Sequence, residues 1–271
     1  MNLCWPETEM TVTETLHTIQ SANLNREVTY TLLVPEGDMY GKALNLLLLN
    51  DGQEIENLHL HQTLQDLYNA SRLTPTAVVA INCGDERIQE YGVAGNPDFA
   101  KRGAKAGLYT QFVIEELLPE IKQELNTEEF GTVGFAGFSL GGLSALDIAW
   151  HHPEIFNIVG VFSGSLWWRS KDLGKGYTDN DRIMHRVIRE SKTKPKLRFW
   201  LQTGTNDETA DRNQNGIIDA IDDTIDLIKT LEAKGYSRDT DITYLEVVGG
   251  EHNTATWAKA MPKFLVKAFG K

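Results

Sequence analysis

Two stretches, ALNLLLL (Ala43–Leu49) and TAVVAIN (Thr76–Asn82), are apolar at nearly every position and lack the in-out alternation of a strand with one wet face. Short runs of this kind fit strands buried on both sides, as in a parallel sheet covered by helices. The pattern recurs at FGTVGFAG (Phe130–Gly137), IVGVFSG (Ile158–Gly164), LRFWLQTG (Leu197–Gly204) and ITYLEVVGG (Ile242–Gly250). Helical spacing separates them: the stripe Leu58, Leu60, Leu64, Leu67, Tyr68, then Ala106–Leu125, Leu140–His151, Asp181–Ser191, Ile217–Lys234 and Thr254–Phe269. Strands alternating with helices call for parallel pairing through right-handed crossovers. The earliest strands differ. TVTETLHTI (Thr11–Ile19) alternates, EVTYTLLV (Glu27–Val34) follows a polar turn at Asn23 and Asn25, and together they predict an antiparallel hairpin. The expected class is α/β, with a mostly parallel central sheet flanked by helices and entered through antiparallel strands.

No repeat, low-complexity linker or change of composition divides the 271 residues, so one domain over residues 1–271 is expected. A net charge of −12 repels a phosphate backbone, and no basic run offers an exception, which excludes nucleic acid as a partner. MNLCWPETEM has neither a basic start nor an apolar core, and no stretch is long and apolar enough to span a bilayer. No membrane partner is expected, and the chain is placed in the cytoplasm. Cys4 and Cys83 are too few for a disulfide framework or a metal quartet and are expected as free thiols. The long connections Cys83–Gly107 and Gly164–Asn180 follow the C-terminal ends of predicted strands, where open α/β sheets place ligands.

GFSLGG (Gly137–Gly142) sits between a strand and a helix of small and apolar residues. A G-x-S-x-G turn in that setting projects a serine hydroxyl from the top of the sheet, which makes Ser139 a candidate nucleophile. The alternatives are a turn that merely lets helix and strand approach, or a phosphate loop; the second lacks both G-x-G-x-x-G spacing and a Gly-Lys-Ser/Thr ending. A serine hydroxyl needs a base. In sheets with such an elbow the partners follow in the order acid, then histidine, which leaves His151, His152, His185 and His252. The first two end the serine's own helix and His185 lies in a charged helical segment, whereas His252 follows a strand in VVGGEHNTATW. The acid is expected in LQTGTNDE, where Asp207 is nearer the strand end and Glu208 is the fallback; its work is to orient the His252 imidazole. Oxyanion donors are expected at the backbone N–H of Leu140 and, after the turn at Gly52 in NDGQ, of Gln53.

LLLNDGQ, the R-x-x-E-Y of ERIQEY, GFAGFSLGG, FSGSLWW, GTNDE and GGEHN together resemble the esterase D-like branch of the α/β-hydrolases. That branch includes feruloyl esterases, enterochelin esterases and mycolyltransferases. The resemblance runs from about Leu44 onward and implies an α/β-hydrolase fold and hydrolysis of a small-molecule carboxylic ester through an acyl-enzyme. Ser139, Asp207 and His252 would form its triad, with no cofactor for catalysis. The first donor loop departs from the more usual HG by reading DG. Acyl transfer with the same triad is the alternative reaction, and an inactive binding module the remote one.

Trp167 and Trp168 follow SGS at a strand end, where an indole either stacks on substrate or packs in the core. Arg87 either pairs with Glu90 to shape its loop or binds a substrate carboxylate. Finally, DRNQNGIIDAID fits the calcium-loop rule with Asp211, Asn213, Asn215, the Ile217 carbonyl, Asp219 and Asp222 at positions one, three, five, seven, nine and twelve. The last position is Asp rather than Glu, as in the dockerin-type variant that it resembles. The expected ion is structural calcium pinning the loop that carries Asp207; the alternative is an Asn/Asp-rich turn capping the next helix.

Overall fold

A computed structural model describes residues 10–37 and 43–271; Cys4 lies outside the described residues. The strands are β1 (Thr11–Ser21), β2 (Arg26–Glu36), β3 (Asn45–Asn50), β4 (Thr76–Ile81), β5 (Val133–Phe138), β6 (Ile158–Phe162), β7 (Arg198–Asn206) and β8 (Ile242–Glu251). The helices are α1 (Leu60–Asn69), α2 (Arg87–Glu90), α3 (Ala106–Gln111), α4 (Leu118–Glu124), α5 (Leu140–His151), α6 (Ile183–Glu190), α7 (Asp219–Ala233) and α8 (Thr254–Phe269). A π-helical stretch, Phe112–Leu117, joins α3 to α4, so the helix expected over Ala106–Leu125 is continuous but underwound in its middle.

All eight strands share one sheet in the order β1-β2-β4-β3-β5-β6-β7-β8. β1 pairs with β2, and β2 with β4, antiparallel; every pairing from β4 to β8 is parallel. This is the expected mixed sheet. Successive residues of β3 go to opposite faces. Leu46 and Leu48 meet the layer of Phe112, Leu117, Leu143, Met184 and Leu227, while Leu47 and Leu49 meet Leu64, Met261 and Phe264. Leu46–Leu49 are all apolar because both faces are covered. β2 continues through Pro35, past the expected end at Val34. Pro35 lies opposite Val12 of β1 and beyond the Tyr30–Leu33 stretch that pairs with β4, so its missing N–H leaves no ladder bond unmade on that side.

Parallel strands bring their C-terminal ends to one edge. Asn50, Phe138, Phe162, Asn206 and Glu251 therefore end β3, β5, β6, β7 and β8 on the same side, and the residues that follow them share one rim. Among the described residues no helix is long and apolar enough to cross a membrane. Cys83 is a free thiol, pushed up to about 11 by burial and by the nearby Asp51 carboxylate.

Candidate active site

Ser139 stands between β5 and α5 with φ 53° and ψ −120°, a conformation L-residues rarely hold. Its N–H donates to the Phe162 carbonyl at 2.8 Å, which ties the turn to the end of β6. The helix after it presses on the β3 loop: a Cβ on Gly141 would come within 2.6 Å of Asp51 Oδ2. Ser139 Oγ lies 3.3 Å from Ser165 Oγ, and among the described residues no hydrogen bond joins it to His252.

Asp207 follows β7 with its carboxylate buried. Oδ1 accepts from Ser163 Oγ and Oδ2 from the Gly204 N–H, both at 2.9 Å. His252 follows β8, and its Nδ1 lies 3.8 Å from Asp207 Oδ1, within ion-pair range and beyond hydrogen-bond range. Asp207, and not Glu208, is thus the carboxylate facing His252. Trp257 of α8 sits edge-on to the imidazole at 5.3 Å, and its indole N–H donates to Ser163 Oγ at 2.9 Å. Ser163 is therefore a buried link between the acid and the ring that walls the histidine. Burial pushes the Asp207 carboxyl up, against its two hydrogen bonds and the His252 charge. Burial pushes the His252 imidazole down; Asp207 opposes this and the Arg87 cation adds to it.

The two expected oxyanion donors occupy facing segments. Gln53 is in a 3₁₀ turn, Gly52–Glu54, entered through Asp51 at φ 61°; Leu140 is the first residue of α5. A Cβ on Gly52 would lie 2.4 Å from the Ala80 carbonyl, so the turn can pack on β4 only without a side chain there. Among the described residues neither the Gln53 nor the Leu140 N–H has an acceptor.

The expected partner of Arg87 requires correction. Arg87 donates from Nε and Nη2 to the two oxygens of Asp51 at 2.6 and 2.7 Å, while Glu90 takes Arg26 at 2.8 and 2.6 Å. α2 is a single turn; Arg87 faces the β3 loop, and the buried Glu90 meets β2. The Asp of the DG pair thus carries a counter-ion of its own. Trp168 is fully buried, its ring over Gly92 and Gly103 and its N–H on the Asn96 carbonyl at 3.3 Å, so core packing describes it rather than stacking on a ligand. Trp167 is partly exposed, with the guanidinium of Arg102 at 5.0 Å from its ring.

In the Asp211–Asp222 loop, Asp211 accepts the N–H groups of Asn215 and Gly216 at 3.1 and 2.9 Å. The amides of Asn213 and Asn215 reach Asp222 Oδ2 at 2.8 and 2.7 Å, and the Asn215 oxygen accepts the Ile217 N–H at 2.8 Å. Asp219 is held by Arg212 through the backbone N–H at 3.0 Å and the guanidinium at 3.1 Å. Among the described residues no three His, Cys, Asp or Glu side chains converge as a metal cluster. An open cavity of 890 Å³ lined by Ile114, Phe130 and Ile155 lies by the start of β5, at the opposite edge of the sheet from Ser139.

Sequence reasoning missed Ser163 and Ser165, although both lie in the FSGSLWW stretch, and it missed Asn50 and Tyr109. The signal of Ser163, Ser165 and Asn50 is weak, because a small polar residue at the end of an apolar run looks like the start of a turn, and Tyr109 looks like any aromatic residue on the buried face of a helix.

A family model described as "Putative esterase" matches residues 21–268. An iron(III) salmochelin esterase of Escherichia coli is 30% identical over 142 residues, which are 51% of this chain and 32% of that protein. The match thus spans about a third of the curated relative's length. A solved ferulic acid esterase superposes with a TM-score of 0.71 at 17% identity, covering 96% of this chain and 98% of the other. An enterobactin esterase from Shigella flexneri gives 0.72 at 21% identity, over 94% of this chain and 59% of that one. At such identities these structures speak for the fold, which is of the α/β-hydrolase type.

Proposed function

The chain belongs to the esterase family of α/β-hydrolases, and on that premise we propose that it hydrolyses a small-molecule carboxylic ester through an acyl-enzyme on Ser139. His252 takes the Ser139 proton as Oγ attacks the ester carbonyl carbon, and the carbonyl electron pair moves onto oxygen between the Leu140 and Gln53 N–H groups. Collapse expels the alcohol, which receives the proton from His252. Water then gives a proton to His252 and attacks the acyl carbon; Ser139 leaves with that proton and the acid is released. Asp207 holds the imidazole in register and balances its positive charge between the two transfers. Trp167 and the outer face of Arg87 are the proposed substrate contacts at the rim.

One observation carries this reading: a serine in the strained elbow conformation shares a rim with a histidine 3.8 Å from a buried carboxylate. A catalytic hydrogen bond left open without substrate is common and closes as substrate binds. The test is labelling with a fluorophosphonate. Wild type is expected to be labelled and Ser139→Ala not, with kcat falling roughly a millionfold; equal labelling of both proteins overturns the nucleophile. The names of the relatives nominate siderophore-type and feruloyl esters, and a panel of acetyl, feruloyl and cyclic trilactone esters distinguishes them.

We further propose that Asp211, Asn213, Asn215, Ile217, Asp219 and Asp222 hold a structural calcium ion. Support comes from the convergence of the Asn213, Asn215 and Asp222 side chains and from the hard-oxygen chemistry of the set. Asp219, tied to Arg212, would contribute at the water-bridged ninth position. The proposal expects a higher Tm in excess calcium than in chelator, lost in Asp211→Ala; equal Tm values overturn it.

A further inference from the structure

The two segments carrying the oxyanion donors come from β3 and from the start of α5, and one side chain joins them. Asn50, the last residue of β3, is fully buried. Its Nδ2 donates to the Gly141 carbonyl in the first turn of α5 at 2.8 Å, and its Oδ1 accepts from Tyr109 Oη at 2.6 Å. The next residue, Asp51, donates its N–H to Tyr91 Oη at 3.3 Å, and the Tyr91 and Tyr109 rings pack edge to face at 5.1 Å. The carbonyl taken belongs to the residue after Leu140, and the amide giving it precedes Gln53 by three positions along a tight turn.

We infer that Asn50 is a positioning residue: it sets the separation of the Leu140 and Gln53 N–H groups, and Tyr109 fixes which way its amide points. This rests on the esterase reading above. The chemistry requires an amide, because the side chain must donate to a carbonyl and accept from a phenol at once. A carboxylate at 50 keeps the acceptor and loses the donor. An aliphatic residue loses both and strands the buried Tyr109 hydroxyl. The close approach of β3 and α5 is built around this contact, since a Cβ on Gly141 would lie 3.0 Å from the Asn50 Cβ. Oxyanion stabilisation depends on donors fixed before the charge appears, so a few tenths of an ångström of drift between them weakens the transition state and leaves ground-state binding alone.

The experiment measures kcat and KM on an activated aryl ester for wild type, Asn50→Asp and Tyr109→Phe, with circular dichroism and Tm recorded for each. It adds inhibition by an aryl boronic acid, whose tetrahedral adduct mimics the oxyanion, and by the carboxylic acid product. The expected result is a fall in kcat of roughly 10–100-fold, below the ~10²–10³ for deleting a donor, with KM changed less than about twofold. Boronate affinity should fall in proportion to kcat/KM and product affinity should hold. A purely structural role predicts a lower Tm with kcat per folded molecule unchanged; that result overturns the inference, as does a change confined to KM. If Asn50→Asp fails to fold, Tyr109→Phe decides, because it keeps the shape and removes only the hydroxyl. An inactive Ser139→Ala beside unaffected Asn50 and Tyr109 variants overturns this inference alone, whereas an active Ser139→Ala overturns the esterase reading beneath it.

Discussion

Arg87 grips Asp51 with two parallel hydrogen bonds, Nε to Oδ1 at 2.6 Å and Nη2 to Oδ2 at 2.7 Å, and so braces the loop leading to Gln53. The Asp51 side chain is 5% exposed and that of Arg87 32%, so the carboxylate is the partner that suffers if the pair is broken. Breaking a fully buried pair costs about 3–5 kcal/mol; with Arg87 a third open, roughly 2 kcal/mol is expected for Arg87→Gln. Urea unfolding checks this, and a loss below about 0.5 kcal/mol, the range of ordinary surface substitutions, rejects it.

The pH dependence of kcat/KM should have its acid limb below the ordinary histidine value, because burial first, and the Arg87 cation after it, disfavour the charged imidazole of His252. Activity therefore persists at pH values where an exposed histidine would already be protonated. Arg87→Gln removes the cation and should move the limb upward. A midpoint above 6.5 in wild type, or no upward movement in the variant, contradicts the assignment.

Ser163 has a measurable share in the acid. Ser163→Ala removes one of the two hydrogen bonds to Asp207 and leaves the Trp257 indole N–H buried without an acceptor. The expected stability loss is about 1–3 kcal/mol. Asp207→Asn should cost far more in rate, toward ~10⁴ in kcat, since it removes the negative charge that favours the imidazolium and disturbs the tautomer. Equal losses in kcat for the two variants would mean that Asp207 acts only as a structural anchor.

His185 should make the fold acid-sensitive. It is 1% exposed, Nε2 meets the Asp223 carbonyl at 2.8 Å, and Nδ1 has no partner among the described residues. Burial, with Arg182 beside it, pushes the imidazole down to about 3. Since the folded value lies below the unfolded one, the unfolded chain takes up the proton first. Stability is full above about 6.5 and drains away as pH falls toward 3. Plotted against pH, the Tm of His185→Gln should fall less steeply over that window than that of wild type. Parallel curves refute the assignment.

The parts of this fold legible in the sequence are those that a short stretch of chain decides by itself. Leu46–Leu49 had to lie between two helical layers because no alternation was available to face water on one side. Ser139, Asp207 and His252 each follow a strand, and parallel strands deliver their ends to one rim, so order along the chain translates into proximity. The ion-pair partner of Arg87 is not legible in the sequence, because Glu90 is the nearest acid along the helix, whereas Asp51 lies 36 residues earlier and is brought alongside only by the sheet. Trp167 and Trp168 are chemically identical neighbours, and only the space over Gly92 and Gly103 decides which one is buried. Asn50 was hidden by its position, since the last residue of an apolar strand carries no periodic signal of what its amide will meet.

The order of strands across the sheet has a consequence for biogenesis. From β5 to β8, spatial order and chain order coincide, and the rim residues Ser139, Ser163, Asp207 and His252 are laid down one strand at a time toward one margin. The proposed base arrives last, at the end of the outermost strand. A growing chain emerging from the ribosome would thus expose Ser139 well before it exposed the proposed base, His252. On the proposed mechanism, Ser139 would stay inert until β8 closes the edge.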